Sequence, residues 1–176
     1  MNILNIHGYA GSPENTNYSI LQDAGYTVIS FSIDYDNCSA TDVEDFLLAA
    51  ARVYRVDMIV ATSYGSYFAN IISGKYNLPF IATNPCVNPS ISLRNLTPDY
   101  CFREAKYFKS RNREYMKNWE TGIFILGNAD EVIDHSITKG VVGKAKIYEV
   151  SGTHRLRRES YEILLLKEIE SLMKEG

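Results

Sequence analysis

A short apolar segment that ends on a serine constrains the fold of this 176-residue chain more than any other feature. Residues 58–62 are apolar or β-branched, and Ser63 follows them between small neighbours, with Ala61 two positions before it and Gly65 two positions after it. This pattern predicts a strand, a sharp turn and a helix, with Ser63 at the apex of the turn. The common form of the turn is Gly-x-Ser-x-Gly, from which Ala61 departs by one methyl group. A strand end followed by a helix N-cap serine is the alternative interpretation.

The composition is typical of one globular domain over residues 1–176. Hydrophobic residues make up 45% and charged residues 22% of the chain, which is long enough to bury a sizeable core. A net charge of −3 gives no overall attraction to nucleic acid or to an anionic membrane. No apolar run approaches the length of a membrane span, and the first predicted strand begins at residue 2 without a basic or apolar leader. We therefore expect a cytoplasmic protein without stable membrane insertion.

Predicted strands and helices alternate along the chain. Apolar and β-branched runs predict six strands, at residues 2–6, 26–33, 57–62, 78–83, 122–126 and 145–150. Ser12 and Pro13 predict the start of a first helix, and Thr41 with Glu44 forms a capping box before a second. Further helices are predicted over residues 64–73, ended by Gly74, and over residues 155–175. Near-continuous apolar strands separated by helices favour a three-layer, doubly wound α/β fold with a mainly parallel sheet.

Residues 90–120, the cap segment, differ from the rest of the chain because aromatic and basic residues interleave there. The aromatic residues are Tyr100, Phe102, Tyr107, Phe108, Tyr115 and Trp119. The basic residues are Arg103, Lys106, Lys109, Arg111, Arg113 and Lys117. Such interleaving occurs on surfaces that bind single-stranded nucleic acid. We favour an amphipathic segment whose aromatic side chains pack on the domain and whose basic groups are solvated, forming a small cap or lid.

Four polar residues each follow a predicted strand: His7, Ser63, Asp130 and His154. The carboxyl ends of parallel strands lie at one edge of the sheet, so these side chains are expected to meet there. A serine nucleophile, a histidine base and an aspartate that orients the base are the groups that acyl transfer requires. The chain order of serine, aspartate and histidine is the order found on α/β-hydrolase sheets. Ser63, Asp130 and His154 are therefore the candidate catalytic residues.

The chain resembles a minimal α/β-hydrolase and, within that superfamily, the small bacterial YqiA-like esterases. The matching segments are residues 7–9, the Ser63 turn, the Asn-Pro-Cys-Val-Asn-Pro loop at 84–89, residues 130–132 and residues 152–154. The resemblance implies a strand order of 2-1-3-4-5-6. It also implies hydrolysis of carboxylic esters, or of acyl thioesters such as acyl-CoA, without a cofactor and by Ser63, Asp130 and His154.

In the resemblance to these esterases, the loop after the first strand corresponds to an oxyanion loop. The backbone N–H groups of Tyr9 and Tyr64 would then stabilise the oxyanion of the tetrahedral intermediate. His7 and Gly8 would support that loop, and the small residues Ala61 and Gly65 would support the Ser63 turn.

Each role has an alternative in the sequence. Asp134 or Glu131 can replace Asp130 as the acid, but we prefer Asp130 because Asp134 lies a further turn from the strand end. His135 is expected on the surface of a helix. The three histidines have no metal-ligand spacing, and no phosphate-binding or dinucleotide-binding loop is present, so we expect neither a metal nor a cofactor.

Three functions remain open: an ester hydrolase, an acyl thioesterase, and a hydrolase-fold protein that binds its ligand but catalyses weakly. Arg155, Arg157 and Arg158, together with the basic residues of the cap segment, would suit an anionic leaving group such as coenzyme A. Solvated charged faces are the simpler interpretation of both clusters. In each case the expected partner is a small molecule, an ester or a thioester, and not nucleic acid.

Overall fold

Six parallel strands form the centre of the molecule. In the computed structural model, which describes residues 1–175, their spatial order is β2-β1-β3-β4-β5-β6. The strands are β1 (Asn2–Ile6), β2 (Thr27–Ser30), β3 (Met58–Thr62), β4 (Phe80–Thr83), β5 (Ile123–Gly127) and β6 (Lys146–Val150). The predicted doubly wound sheet and its 2-1-3-4-5-6 order are thereby confirmed.

Helices cover both faces of this sheet. They are α1 (Thr16–Asp23), α2 (Ala40–Val53), α3 (Gly65–Tyr76), α4 (Pro89–Ser92), α5 (Pro98–Arg103), α6 (Ala105–Tyr115), a 3₁₀ helix (Met116–Thr121), α7 (His135–Val142) and α8 (Arg158–Glu175). Side chains of α1 and α8 pack in one core with residues such as Ile3 and Val60 of the sheet. The opposite core joins α2, α3 and α6 to Leu4 and Ile59. None of the helices within residues 1–175 is long and apolar enough to cross a lipid bilayer.

The pairing of β1 with β3 brings two of the predicted site loops together. Ile3 pairs with Met58 and Ile6 with Ala61, so the two strands end side by side. The chain leaves β1 into the His7 loop and leaves β3 into the Ser63 turn. Both loops therefore start at the same edge of the sheet, as the parallel topology requires.

The predicted start of the first helix is wrong. Helix α1 begins at Thr16, and the side chain of Asn15 accepts a hydrogen bond of 3.0 Å from the Tyr18 N–H, which makes Asn15 the N-cap. The Ser12 hydroxyl accepts from the Glu14 N–H instead, within a turn that precedes the helix. Serine and asparagine are both good N-caps, so tertiary contacts decided between them.

The capping box predicted for the second helix is also displaced. Helix α2 begins at Ala40, and Ser39 is its N-cap, with its hydroxyl accepting from the Asp42 N–H at 3.1 Å. Thr41 lies inside the first turn. Glu44 is only 2% exposed, because it has turned inward and does not serve the helix end.

Strand β2 and helix α3 differ in length from the prediction. β2 ends at Ser30, three residues short of the predicted end at Ile33, whose N–H donates to the ring of His7. Helix α3 continues past Gly74 to Tyr76, and Asn77 ends it with a left-handed backbone (φ 53°). Asparagine adopts this conformation more readily than most residues.

The cap segment packs against α2 and α3, and most of its aromatic side chains are buried or half-buried. The buried carboxylate of Glu44 accepts hydrogen bonds of 2.7 Å from the Tyr107 hydroxyl and from Arg111 Nε. Tyr100, Phe108 and Trp119 are buried, as predicted for an amphipathic segment. Phe102 is an exception, being 86% exposed. Arg111 departs from the prediction that the basic groups of the cap segment are solvated, since its charge is paired with Glu44.

Candidate active site

Ser63 lies at the apex of a sharp turn between β3 and α3. Its backbone is left-handed, with φ of 51°, a conformation that is uncommon for a residue other than glycine. Two bonds to the neighbouring β4 loop hold it there, from the Ser63 N–H to Thr83 O at 3.0 Å and from the Cys86 N–H to Ser63 O at 3.1 Å. Ala61 is fully buried in the preceding strand, where its methyl group is accommodated. The turn directs the hydroxyl away from the strand.

Two glycines allow the turn to approach the β1 loop closely. A Cβ atom on Gly65 would lie 2.4 Å from the carbonyl oxygen of Ile6 and 2.5 Å from that of His7. A Cβ atom on Gly8 would lie 2.8 Å from Cβ of Ser63. Both positions are therefore closed to larger residues, because these separations are shorter than van der Waals contact.

Gly65→Ala should destabilise the protein by about 3 kcal/mol, since the added methyl group meets fixed backbone carbonyls of β1. The matched control is Gly140→Ala in α7, where a Cβ atom meets nothing within 4 Å. That change should stabilise the helix by up to about 1 kcal/mol. Thermal unfolding of the two variants measures both effects. An unchanged Tm for Gly65→Ala would contradict the close approach.

The structure joins the three candidate catalytic side chains in one chain of hydrogen bonds. Ser63 Oγ lies 3.0 Å from His154 Nε2. His154 Nδ1 lies 2.9 Å from Asp130 Oδ2 and 3.0 Å from Asp130 Oδ1. These residues follow β3, β6 and β5, and the shared sheet edge brings them together.

The Asp130 carboxylate is surrounded by hydrogen-bond donors. Its Oδ1 atom accepts from the backbone N–H groups of Val132 (2.8 Å) and Ile133 (2.9 Å). Burial by itself would raise the pKa of Asp130, but hydrogen bonds from His135, His154 and these two backbone groups outweigh it and hold the pKa below its ordinary value. Asp130 is therefore an anion at any pH at which the fold is normally studied.

The two alternative acids do not reach the ring of His154. Asp134 is the N-cap of α7, and its Oδ1 atom accepts from the Ser136 N–H at 2.9 Å. Glu131 accepts from the backbone N–H of His154 at 3.0 Å and leaves the imidazole to Asp130. The geometry thus favours Asp130 among the three carboxylates.

His7 is buried in the loop after β1, and both of its ring nitrogens contact the backbone. Nε2 accepts from the Ile33 N–H at 3.0 Å, and Nδ1 lies 2.7 Å from Gly8 O. The His7 carbonyl accepts from the Tyr35 hydroxyl at 2.8 Å. Burial lowers the pKa of His7, whereas the hydrogen bond to the Gly8 carbonyl raises it. The effect of burial is the larger one, so the lowered pKa favours the neutral ring. These contacts suit a residue that supports the loop.

The backbone N–H groups predicted to stabilise the oxyanion belong to Tyr64, the residue after Ser63, and to Tyr9, in the loop after β1. Within residues 1–175 neither group donates to a protein acceptor. Tyr64 precedes the first residue of α3, so its N–H belongs to the positive end of that helix. The hydroxyl of Tyr9 binds Asp36 and Thr97, which fixes the position of this loop.

Asn84, the first residue of the Asn-Pro loop, ties the loops of the site together. Its Nδ2 atom donates to the carbonyl oxygens of Thr153 (3.0 Å) and His154 (2.9 Å). Its Oδ1 atom accepts from the Gly127 N–H at 2.7 Å. The sequence marked this loop as a motif but assigned Asn84 no role.

His135 is not a surface residue, so its prediction is wrong. Its side chain is 13% exposed, and Nε2 lies 3.2 Å from Asp130 Oδ2 and 3.2 Å from Asn84 Oδ1. The only signal in the sequence was its place at the start of a helix, five residues after Asp130. At that position a side chain can turn back toward the preceding loop, which periodicity alone does not reveal.

Residues 2–169 match the uncharacterised protein family UPF0227. The chain belongs to this family. This match confirms the predicted YqiA-like family, and the strand order is that of the predicted α/β-hydrolase fold. No curated protein matches the sequence.

Solved structures with the same fold are distant in sequence from this UPF0227 protein. An α/β-hydrolase from a sediment metagenome of the Mar Chica lagoon in Morocco is 14% identical, with a TM-score of 0.66 over 99% of this chain and 91% of that one. A carboxylesterase of Nitrososphaera gargenis is 13% identical, with a TM-score of 0.69 over 99% and 92%. The Pyrococcus furiosus esterase PF2001 is 13% identical, with a TM-score of 0.56 over 99% and 80%. At these identities the likeness establishes the fold.

Two cavities of the UPF0227 chain lie beside the site. One of about 540 Å³ is lined by Asp130 and His135, together with acidic residues and Lys139. The other, of about 360 Å³, is lined by Tyr9, Tyr100 and residues of the α4–α5 region. Within residues 1–175 no group of three or more His, Cys, Asp or Glu side chains is arranged to hold a metal ion.

Proposed function

We propose that this protein is a serine hydrolase that cleaves carboxylic esters through an acyl-enzyme. The observation that carries the proposal is the hydrogen-bonded chain from Ser63 Oγ through the His154 ring to the Asp130 carboxylate. Each contact is within 3.0 Å, the distance over which a proton moves from a nucleophile to its base. The esterases among the structural neighbours support the same reaction class.

In the first half of the reaction, His154 Nε2 removes the proton of Ser63 Oγ, which attacks the carbonyl carbon of the ester. The tetrahedral intermediate collapses when the imidazolium returns that proton to the departing alcohol oxygen. Water then attacks the acyl-enzyme by the same route and releases the acid. Asp130 holds Nδ1–H and stabilises the positive charge on the ring.

The oxyanion of each intermediate is stabilised by the N–H groups of Tyr9 and Tyr64. Both are free of protein acceptors within residues 1–175, so they are available to a substrate oxygen. Donors that are already in position lose little on reorganisation, and the start of α3 adds a favourable dipole.

The cap segment forms a small cap beside the Tyr9 loop. Thr97 binds the Tyr9 hydroxyl, and the cavity of about 360 Å³ lies between this loop and the cap. Tyr9 and Tyr100 form aromatic walls of that cavity beside Asp36, Asp99 and Arg103, and we assign the aromatic side to the apolar part of a small or medium ester. Glu44 anchors the far end of the cap through Tyr107 and Arg111.

Ion pairs within the chain favour an ester over an acyl-CoA thioester as the substrate. Arg158 pairs with Asp23 and Glu162, so it is not free to bind an anion. The Arg103 guanidinium is likewise committed, to Glu104 and to backbone carbonyls. Arg111 pairs with Glu44 and Glu114, so three of the basic groups that suggested coenzyme A have partners within the chain.

A serine-directed fluorophosphonate should label the folded protein at Ser63, because only a serine activated by a base reacts with such a probe. Peptide mapping by mass spectrometry identifies the modified residue. Heat-denatured protein is the control and should not react. Native protein that neither labels nor hydrolyses an aryl ester would favour the weakly catalytic binding protein.

The rate of ester hydrolysis should also fall as the pH is lowered. Protonated imidazole cannot accept the serine proton, so kcat/KM should fall with a single inflection as the pH is lowered from about 8 to about 5. Asp130 adds no second inflection there, because its lowered pKa keeps it ionised throughout that range. A pH-independent rate in folded protein would argue against a histidine base.

A further inference from the structure

A second histidine contacts the carboxylate that orients the base. His135 Nε2 lies 3.2 Å from Asp130 Oδ2, the same oxygen that lies 2.9 Å from His154 Nδ1. His135 is the first residue of α7, and its side chain is largely buried. Two imidazole rings from different loops therefore share one carboxylate oxygen.

Asn84 determines which atoms of this contact carry protons. Its Nδ2 atom donates to backbone carbonyls of the loop that bears His154, and its Oδ1 atom accepts from the Gly127 N–H, so only one orientation of the amide satisfies all three bonds. His135 Nε2 then faces two acceptors, Asn84 Oδ1 and Asp130 Oδ2, both at 3.2 Å. An imidazole nitrogen between two acceptors must carry the proton, so the His135 Nε2–H is shared between Asn84 Oδ1 and Asp130 Oδ2.

The donors of Asp130 are divided between its two oxygens. Val132 and Ile133 hold Oδ1 through their backbone N–H groups. Without His135, Oδ2 would have the ring of His154 as its one protein donor among the described residues. With the backbone holding only Oδ1, Oδ2 would lose one of its two constraints, and a shift of Oδ2 would draw the His154 ring away from Ser63.

We propose that His135 is a positioning residue for the hydrolytic reaction, whose Nε2–H holds Asp130 Oδ2 in the orientation that aligns His154 with Ser63. The role rests on the proposed serine hydrolase. It is distinct from the three catalytic groups, because His135 acts only through Asp130.

The same hydrogen bond affects how Asp130 shares its charge. When His135 no longer donates, more of the negative charge of Asp130 faces His154, which strengthens the attraction between the carboxylate and the protonated ring. The other charged side chains around His135 are Asp134 at the start of its own helix and, along the same cavity, Glu131, Lys139 and Glu149. Lys139 pairs with Glu149.

The test compares His135→Phe, which keeps a ring and removes the donor, with His135→Gln, which keeps an N–H donor. Kinetics with an aryl ester are measured across pH, and Lys139→Gln, one turn along α7, is the control. His135→Phe should lower kcat by about tenfold with KM changed by less than about twofold, the effect of losing one hydrogen bond to a charged group. Its acid limb of kcat/KM should move to higher pH. His135→Gln should recover most of kcat, and Lys139→Gln should match the wild type.

Two results would overturn the role while leaving the hydrolase intact. One is an unchanged kcat and pH profile in His135→Phe. The other is an equal loss in His135→Gln with an unshifted acid limb, which would mean that the ring matters only for packing. Thermal unfolding identifies any variant that loses activity only because it is unstable. If His135→Phe is such a variant, the kinetics of His135→Gln decide whether the positioning role holds. If the wild-type protein hydrolyses no ester and does not label at Ser63, the proposed function fails and the positioning role fails with it.

Discussion

Ser63→Ala should lower kcat for ester hydrolysis by on the order of 10⁶, and His154→Ala should cost about as much, because nucleophile and base act as a unit. Alanine at position 63 removes the atom that forms the acyl-enzyme, and alanine at position 154 removes the only base within 3.0 Å of it among the described residues. Initial rates with an aryl ester at mildly alkaline pH measure the loss.

Ser66→Ala is the matched control for this experiment. Ser66 is a fully buried serine three residues further along the chain, and its Oγ atom has no hydrogen-bond partner within residues 1–175. Its replacement should leave kcat close to that of the wild type, since no bond is lost. Full activity in a stable Ser63→Ala variant would exclude the proposed mechanism, and inactivity in Ser66→Ala would point to a general disturbance of α3.

Asp130→Asn should lower kcat by roughly 10⁴, because an amide keeps the shape of the carboxylate but can favour the wrong tautomer of the base. The positive charge that develops on His154 also loses its partner. The comparison variant is Asp134→Asn, four residues along. Asparagine is as good an N-cap as aspartate, so both the stability of α7 and the rate should be nearly unchanged.

The ranking of these two variants distinguishes the carboxylates. A large loss in Asp134→Asn with a small one in Asp130→Asn would reassign the acid, against the distances of 2.9 and 3.0 Å that join Asp130 to His154 Nδ1. Equal and small losses would mean that neither carboxylate orients the base. Thermal unfolding of both proteins separates a kinetic effect from loss of the fold.

Local sequence was sufficient for the features that depend on nearest neighbours and period. The apolar run before Ser63 and the small residues around it predict the strand and its turn, since only small side chains fit so close a crossing. Six apolar strands separated by helices predict a parallel sheet, and a parallel sheet brings all of its loops of one kind to one edge. That is why the loops of Ser63, Asp130 and His154 could be placed together from the chain alone.

Details of helix ends could not be predicted in this way. Ser12 and Asn15 are both capable N-caps, and so are Ser39 and Thr41. The capping free energies of the two candidates at each helix differ by less than the contacts of the folded protein contribute. Glu44 looked like part of a capping box. In the structure it is a buried carboxylate whose partners, Tyr107 and Arg111, lie more than sixty residues away in the chain.

The sequence by itself determined the sheet, the Ser63 turn and the group of loops in which the chemistry is proposed, because strand period and turn sterics act over a few residues. Only the tertiary structure decided which further side chains reach those loops. Asn84 became a partner of His135 and a clamp on the His154 loop, through contacts spanning fifty to seventy residues of chain. Such contacts depend on how whole elements pack, since the direction of one side chain at a helix start is not encoded in its neighbours.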